Sequence, residues 1–157
     1  MTTPIPPRSL WMRAFAAAEA DRVLALAGRL AIEHGATHRS APRAGLALLR
    51  LRESVMLDTF YLGEIPVTTA RVALLGRDGL HVEGGAVVMD DDVEFAAALA
   101  VLDGVLAHGL TGAAEARELL DEGLTQIERV ANVRAAMLSR TKVDFSLMAE
   151  AGDDNRA

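Results

Sequence analysis

The apolar positions of this chain run at helical spacing, then alternate, then return to helical spacing. Val23, Leu24, Ala27 and Leu30 recur at the three- and four-residue steps of a helix, with Arg22, Arg29 and Glu33 elsewhere on the wheel. Upstream, Leu10, Trp11, Met12 and Phe15 make a bulky start that Ser9 can cap. One helix or two consecutive ones are therefore predicted over about residues 9–34, closed by Gly35 as a left-handed cap. Residues 37–43 read as a connection or a short strand. From Gly45 to Glu53 the pattern alternates, Leu49 and Leu51 on one face and Arg50 and Arg52 on the other. Residues 54–59 read as a loop or irregular hairpin. Residues 67–75 are the clearest strand by β-branched content, and Gly76-Arg77-Asp78-Gly79 supplies the positive φ angles of a hairpin turn. Residues 80–89 return as its partner, softened at Gly84-Gly85.

Helical spacing then resumes. Asp90, Asp91 and Asp92 stand where the macrodipole favours acids, ahead of an apolar helix that runs to about His108 and ends at Gly109. Thr111 can cap the last helix. Leu120, Leu124, Ile127 and Ala131 stripe one side of it, and it extends as far as Arg140. The predicted fold is α+β: an N-terminal helix, a three- to four-stranded antiparallel sheet and two C-terminal helices, the last one long. A single domain over residues 1–157 is expected, with about 1–8 and 149–157 disordered.

The stretch from Phe60 to Thr68 breaks the alternation. Phe60, Leu62 and Val67 favour a strand, Gly63 and Pro66 interrupt it, and Glu64 is the one charge among nine residues. Pro66 cannot donate to a ladder, and Gly63 permits close backbone approach. An edge, a bulge or a contact with another molecule suits this composition; a regular core strand does not.

Composition narrows the functional classes. The net charge of −6 argues against a nucleic-acid or anionic-membrane partner. The absence of cysteine excludes disulfides, thiolate catalysis and iron–sulfur ligation by this chain. No apolar run approaches the roughly 20 residues of a membrane span, and the first seven residues lack a signal peptide's apolar core, so a cytoplasmic protein is expected. Aromatic residues make up 4%, which leaves the core to aliphatic side chains and alanine.

Few residues carry obvious chemistry. His34 and His38 have the i,i+4 spacing of metal ligands, but Gly35 between them ends the helix, and a metal site needs three or four converging groups. No metal site is expected; a solvated or capping histidine fits better. The acidic run lacks the spacing of a calcium loop, and helix capping is the better reading. No phosphate-binding glycine loop and no nucleophile elbow is present. Arg50 and Arg52, about 7 Å apart on one strand face, suit phosphate oxygens, the plainer alternative being surface ion pairs with Glu53 or Glu64. The tail carries Val143, Phe145, Leu147 and Met148, which either pack on the chain's own sheet or dock on a partner.

Several of these segments together resemble a known family. Arg50-Leu51-Arg52, then Phe60-Tyr61-Leu62-Gly63-Glu64, then Val67-Thr68, are similar to the middle block of the G subunit of the carbon–phosphorus lyase core complex, the PhnG family. Thr141-Lys142-Val143-Asp144-Phe145 with Met148 resembles that family's C-terminal signature, Trp11-Met12 its N-terminal one, and Ala100-Val101-Leu102-Asp103 its helix after the sheet. The resemblance spans about residues 9–148. There are departures: Ser54-Val55-Met56-Leu57 replaces a Gly-Gly-Thr-Gly turn, Thr69 an arginine, and Asp90-Asp91-Asp92 a Gly-Arg-Asp segment, while the histidine and acid that follow it appear as Phe95 and Ala97.

The resemblance implies a subunit that works with H, I and J subunits, most directly an I-type one, in organic phosphonate catabolism. It implies an accessory place in the step that replaces the adenine of ATP by a phosphonate, giving a ribose 1-phosphonate 5-triphosphate. ATP is then a substrate of the complex, and the chain has no cofactor of its own. Arg50, Arg52, Phe60, Leu62, Gly63, Glu64 and Thr68 are the family-motif positions placed near substrate or partner. Lys142, Val143, Asp144, Phe145 and Met148 are those of a partner interface; no catalytic residue is assigned. The alternative is a free-standing cytoplasmic module that binds a small anion or serves assembly.

Overall fold

A computed structural model describes residues 4–141. Those residues form a 3-10 turn at Arg8–Leu10, helices α1 (Trp11–Phe15) and α2 (Ala20–Glu33), strands β1 (Thr37–Arg52), β2 (Thr59–Leu75) and β3 (His81–Val88), and helices α3 (Val93–Ala107) and α4 (Ala113–Ser139). The strands make one antiparallel sheet in the order β1-β2-β3. The α+β expectation holds, with three strands. The chain divides into two compact units, Met1–Gln126 and Ile127–Ala157.

In the first unit, α3 is buried nearly all round. Ala96, Leu99, Leu102 and Val105 are inaccessible, as an almost uniformly apolar helix requires. It lies on the helix-facing side of the sheet, where Ala70, Val72, Leu74, Ala86 and Val88 are buried. The contact is close because Gly84 of β3 meets α3 at Gly104 and Ala100, leaving no space for a Cβ on either glycine. The Gly-Gly pair that reads as a weak point in a strand is thus a helix–strand crossing. Asp92 caps α3 by accepting from the Glu94 and Phe95 N–H groups, each at 2.9 Å, which is the capping reading of the acidic run.

Of the one helix or two consecutive ones expected over about residues 9–34, there are two, α1 ending at Phe15 and α2 starting at Ala20. Two other features differ from expectation. Ser9 caps nothing; it sits inside the 3-10 turn, and neither that turn nor α1 has a side-chain cap. Residues 37–43 belong to one long strand with residues 44–52, despite Pro42, because β1 is an edge strand and takes up extra residues between His38 and Ser40 and between Ser40 and Arg43. Near the N-terminus, Trp11 Nε1 donates to the Pro6 carbonyl at 2.9 Å. Arg8 grips the buried Asp103 carboxylate through Nε and Nη2 at 2.9 and 2.5 Å, and the Gly85 N–H also donates to it at 2.9 Å. Those hydrogen bonds from its guanidinium push Arg8 above its ordinary value.

In the second unit the described part is helical to Ser139, with Val130, Val133, Met137 and Leu138 exposed. Lys142, Val143, Asp144, Phe145 and Met148, expected at a partner interface, lie outside the described residues.

Candidate functional site

Strand lengths create the molecule's most unusual surface. β1 and β2 have 16 and 17 residues and β3 has 8. The β2–β3 ladder stops at Thr68↔Val88, while β1–β2 pairing continues to Arg52↔Thr59. Residues 45–52 and 59–67 therefore stand as a two-stranded arm. An isolated hairpin of this kind is at best marginally stable in water, so the side chains it exposes are the ones that await cover.

The register assigns the faces. Between Leu49↔Gly63 and Arg50↔Tyr61 the count advances by one on β1 and by two on β2, so the extra residue is Leu62. Gly63, at φ +153°, supplies the backbone that this bulge needs. β1 alternates without interruption across it. Ala47, Leu49, Leu51, Phe60, Ile65 and Val67 share one face. Leu46, Leu48, Arg50, Arg52, Tyr61, Glu64 and Pro66 share the other. The first face is half-buried by its own neighbours, though Phe60 remains 44% exposed; on the second, Leu46, Tyr61 and Leu62 beside it are each more than 60% exposed.

The arm's tip is tightly organised. The Glu53 carboxylate accepts from the N–H groups of Val55 at 2.7 Å, of Met56 and of Asp58 at 3.4 Å. The Glu53 N–H donates to the Asp58 carbonyl at 3.0 Å, and Arg52 Nε donates to the Leu57 carbonyl at 2.8 Å. Leu57 is held at φ +61°, an uncommon conformation for a residue with a Cβ. The bond from the Val55 N–H, with those from its neighbours, holds the Glu53 carboxyl below the usual carboxylate range. These contacts answer the alternative reading of the arginines. Neither Arg50 nor Arg52 pairs with Glu53 or Glu64; Glu53 and Arg52 serve the turn instead.

The structure brings Arg50, Arg52, Phe60, Leu62, Gly63 and Glu64 together on this arm. It does not bring Thr68 with them. That side chain is inaccessible, and its Oγ1 donates to the Asp90 carbonyl at 2.6 Å, fastening β2 to the turn before α3. The histidines are dispersed. His34 is buried with Nε2 at 2.9 Å from the Thr111 carbonyl, and His108 Nε2 lies 3.2 Å from the Glu83 carbonyl. Among the described residues no three metal-ligating side chains converge.

One feature escaped sequence reasoning altogether. A cavity of about 220 Å³ opens between α2 and α3, walled by Leu24, Gly28, Ala31 and Ala97, with His38 and Glu94 among its lining residues. Small side chains on both helices make it, and in sequence they look like ordinary helix formers.

A family model described as "Phosphonate metabolism protein PhnG" matches residues 6–150. No curated protein matches the chain.

Proposed function

The chain belongs to the PhnG family of phosphonate metabolism proteins, and on that premise we propose that it is a subunit of the carbon–phosphorus lyase core complex. Its partners are H, I and J subunits, the I-type one most directly. Its place is an accessory one, in the step that replaces the adenine of ATP by a phosphonate to give a ribose 1-phosphonate 5-triphosphate. Such a displacement needs a proton or hydrogen bond for the departing adenine and cations for the triphosphate. In this reading most of those groups come from another subunit, and this chain contributes assembly and, through Arg50 and Arg52, positive charge beside the reacting phosphates.

The observation that carries the reading is the stem of the arm. Its apolar residues exceed what the other described residues cover, and an exposed patch of that kind marks an interface. The exposed part of Phe60 is roughly 90 Å², so covering it contributes about 2 kcal/mol. At about 1.4 kcal/mol per factor of ten, Phe60→Ala weakens a partner roughly thirtyfold.

Co-expression with the I-type neighbour tests this. A stable complex is expected, diminished by Phe60→Ala, while the isolated chain with ATP and a phosphonate releases no adenine. A chain that ignores that neighbour in size-exclusion chromatography refutes the assembly role. Adenine release by the chain alone refutes the accessory one. The runner-up, a free-standing anion-binding module, has one observation in its favour: Arg50 has no acidic partner among the described residues. Phosphate binding by the isolated chain, lost in Arg50→Ala, distinguishes it.

A further inference from the structure

We propose that this chain pairs with a second copy of itself, the tip of one arm entering the cavity between α2 and α3 of the other. The inference does not rest on the phosphonate reading; its anchor is the tip of the arm, with Arg50 and Arg52 behind it.

The tip is an apolar knob. Val55 and Met56 are 82% and 76% exposed, and Leu57 is more than half exposed. Its backbone is fixed by the Glu53 carboxylate, the Arg52 guanidinium and the Glu53–Asp58 pair, so little ordering remains to oppose insertion. Apolar side chains on an ordered, water-exposed turn gain nothing for the free chain.

The cavity has the size and the charge to receive it. A cavity of about 150 Å³ holds a benzene ring, so one of about 220 Å³ accepts the Met56 side chain with part of a branched neighbour. Methionine adapts to an irregular gap of this sort. Among the described residues Glu94, which lines the cavity, has no ion-pair partner, and Arg50 and Arg52 stand behind the tip. Knob and arginines thus face a hole and a carboxylate.

Edge-to-edge pairing is the obvious rival mode of self-association, and along its β2 side the arm is built against it. The open edge of β2 beyond β3 carries the Leu62 bulge and Pro66, the devices that keep a free strand from acting as a template. Two reciprocal insertions, each covering the exposed Val55, Met56 and Leu57, make an interface at the lower end of the stable range. A closed twofold dimer follows when each copy gives a tip and receives one, with affinity in the micromolar range.

The test uses the full chain alone, by sedimentation from about 1 to 200 µM. Wild type shows a concentration-dependent dimer. Met56→Glu removes the knob at an exposed position. Gly28→Leu fills the cavity, because a Cβ at Gly28 meets nothing within 4 Å. Each variant weakens the dimer roughly thirtyfold or more, the loss of a central anchor, while its melting temperature holds. Mixed in equal amounts, the two recover a heterodimer with one insertion, since each supplies what the other lacks. A wild type that stays monomeric throughout overturns the proposal. So does a dimer indifferent to both variants, or a mixture that fails to pair. With no partner subunit present, these outcomes leave the co-expression result to stand or fall separately.

Discussion

Gly84 and Gly85 are neighbours in one strand, yet replacing each by alanine should have opposite results. A Cβ on Gly84 would lie 2.6 Å from the Gly104 nitrogen and 2.8 Å from its Cα, and closer still to the Ala100 carbonyl. All three are backbone atoms of α3, so no rotamer relieves the clash; helix and strand must separate. The separation strains the hydrogen bond from the Gly85 N–H to Asp103 as well. Overpacking of this kind costs about 1–3 kcal/mol, and the smaller entropy of an unfolded chain with alanine returns about 0.4–1 kcal/mol. A net loss of about 1–2 kcal/mol corresponds to a melting temperature lower by roughly 2–8 °C in a chain of this length. For Gly85 the nearest atom is the Ala70 carbonyl at 3.8 Å, an ordinary contact, so only the entropic gain remains and Gly85→Ala melts at or slightly above wild type. Thermal melts followed by circular dichroism, with urea titrations for the free energies, read the difference directly. Equal melts, or a more stable Gly84→Ala, would refute the α3–β3 crossing and the platform it gives the arm.

Two further outcomes follow from the polar contacts. Arg8→Ala leaves the Asp103 carboxylate, 2% exposed, with the Gly85 N–H as its remaining donor; the loss is about 2 kcal/mol, discounted from a fully buried pair because Arg8 is half exposed. Adding Asp103→Asn should restore part of it in urea unfolding, and strictly additive losses would exclude the coupling. The Glu53 carboxyl is held below its ordinary range, chiefly by the Val55 N–H, so its support of the tip is complete above that range and is lost as pH falls through the lowered value. Amide-exchange protection at Val55 and Met56, taken relative to the intrinsic rate at each pH, should persist through mildly acidic pH and fall below it; the same profile in Glu53→Gln would remove Glu53 from the explanation.

Alternation and helical spacing made the element order legible, because the period of the apolar positions reports which face is covered. The same signal could not show where cover ends. Leu49, Leu51, Phe60 and Val67 alternate as strand residues of a sheet do, whether or not a third strand and a helix lie beside them. The arm is legible only by comparing lengths, since the strand that leads into the hairpin turn at residues 76–79 is twice as long as the one that leaves it. Residues 37–43 read as a connection or a short strand, and they join one long strand because an edge strand tolerates the missing N–H of Pro42 at a bulge. Thr68 sits in a motif with Glu64 and on the same face of β2, and sequence gives no sign that this face is covered at Thr68 and open at Glu64.

Small residues were the least legible, and they decide the most. Gly84 and Gly104 let a helix touch a strand; Gly28, Ala31 and Ala97 leave a hole between two helices. Both consequences depend on what stands opposite, a property no single position carries. The arm reverses this logic, because its large side chains declare apolar surface that no other described residue covers. The chain thus holds unfilled space on its body and uncovered bulk on its arm, separated by the 22 residues from Gly45 to Pro66 in which strand β1 becomes β2. Closing the arm onto its own body would require bending a ribbon whose backbone bonds fix it from Arg52↔Thr59 to Gly45↔Val67. A second molecule could meet both deficits without breaking that ladder, and the sedimentation and co-expression experiments ask whether that molecule is another copy of this chain or a different subunit.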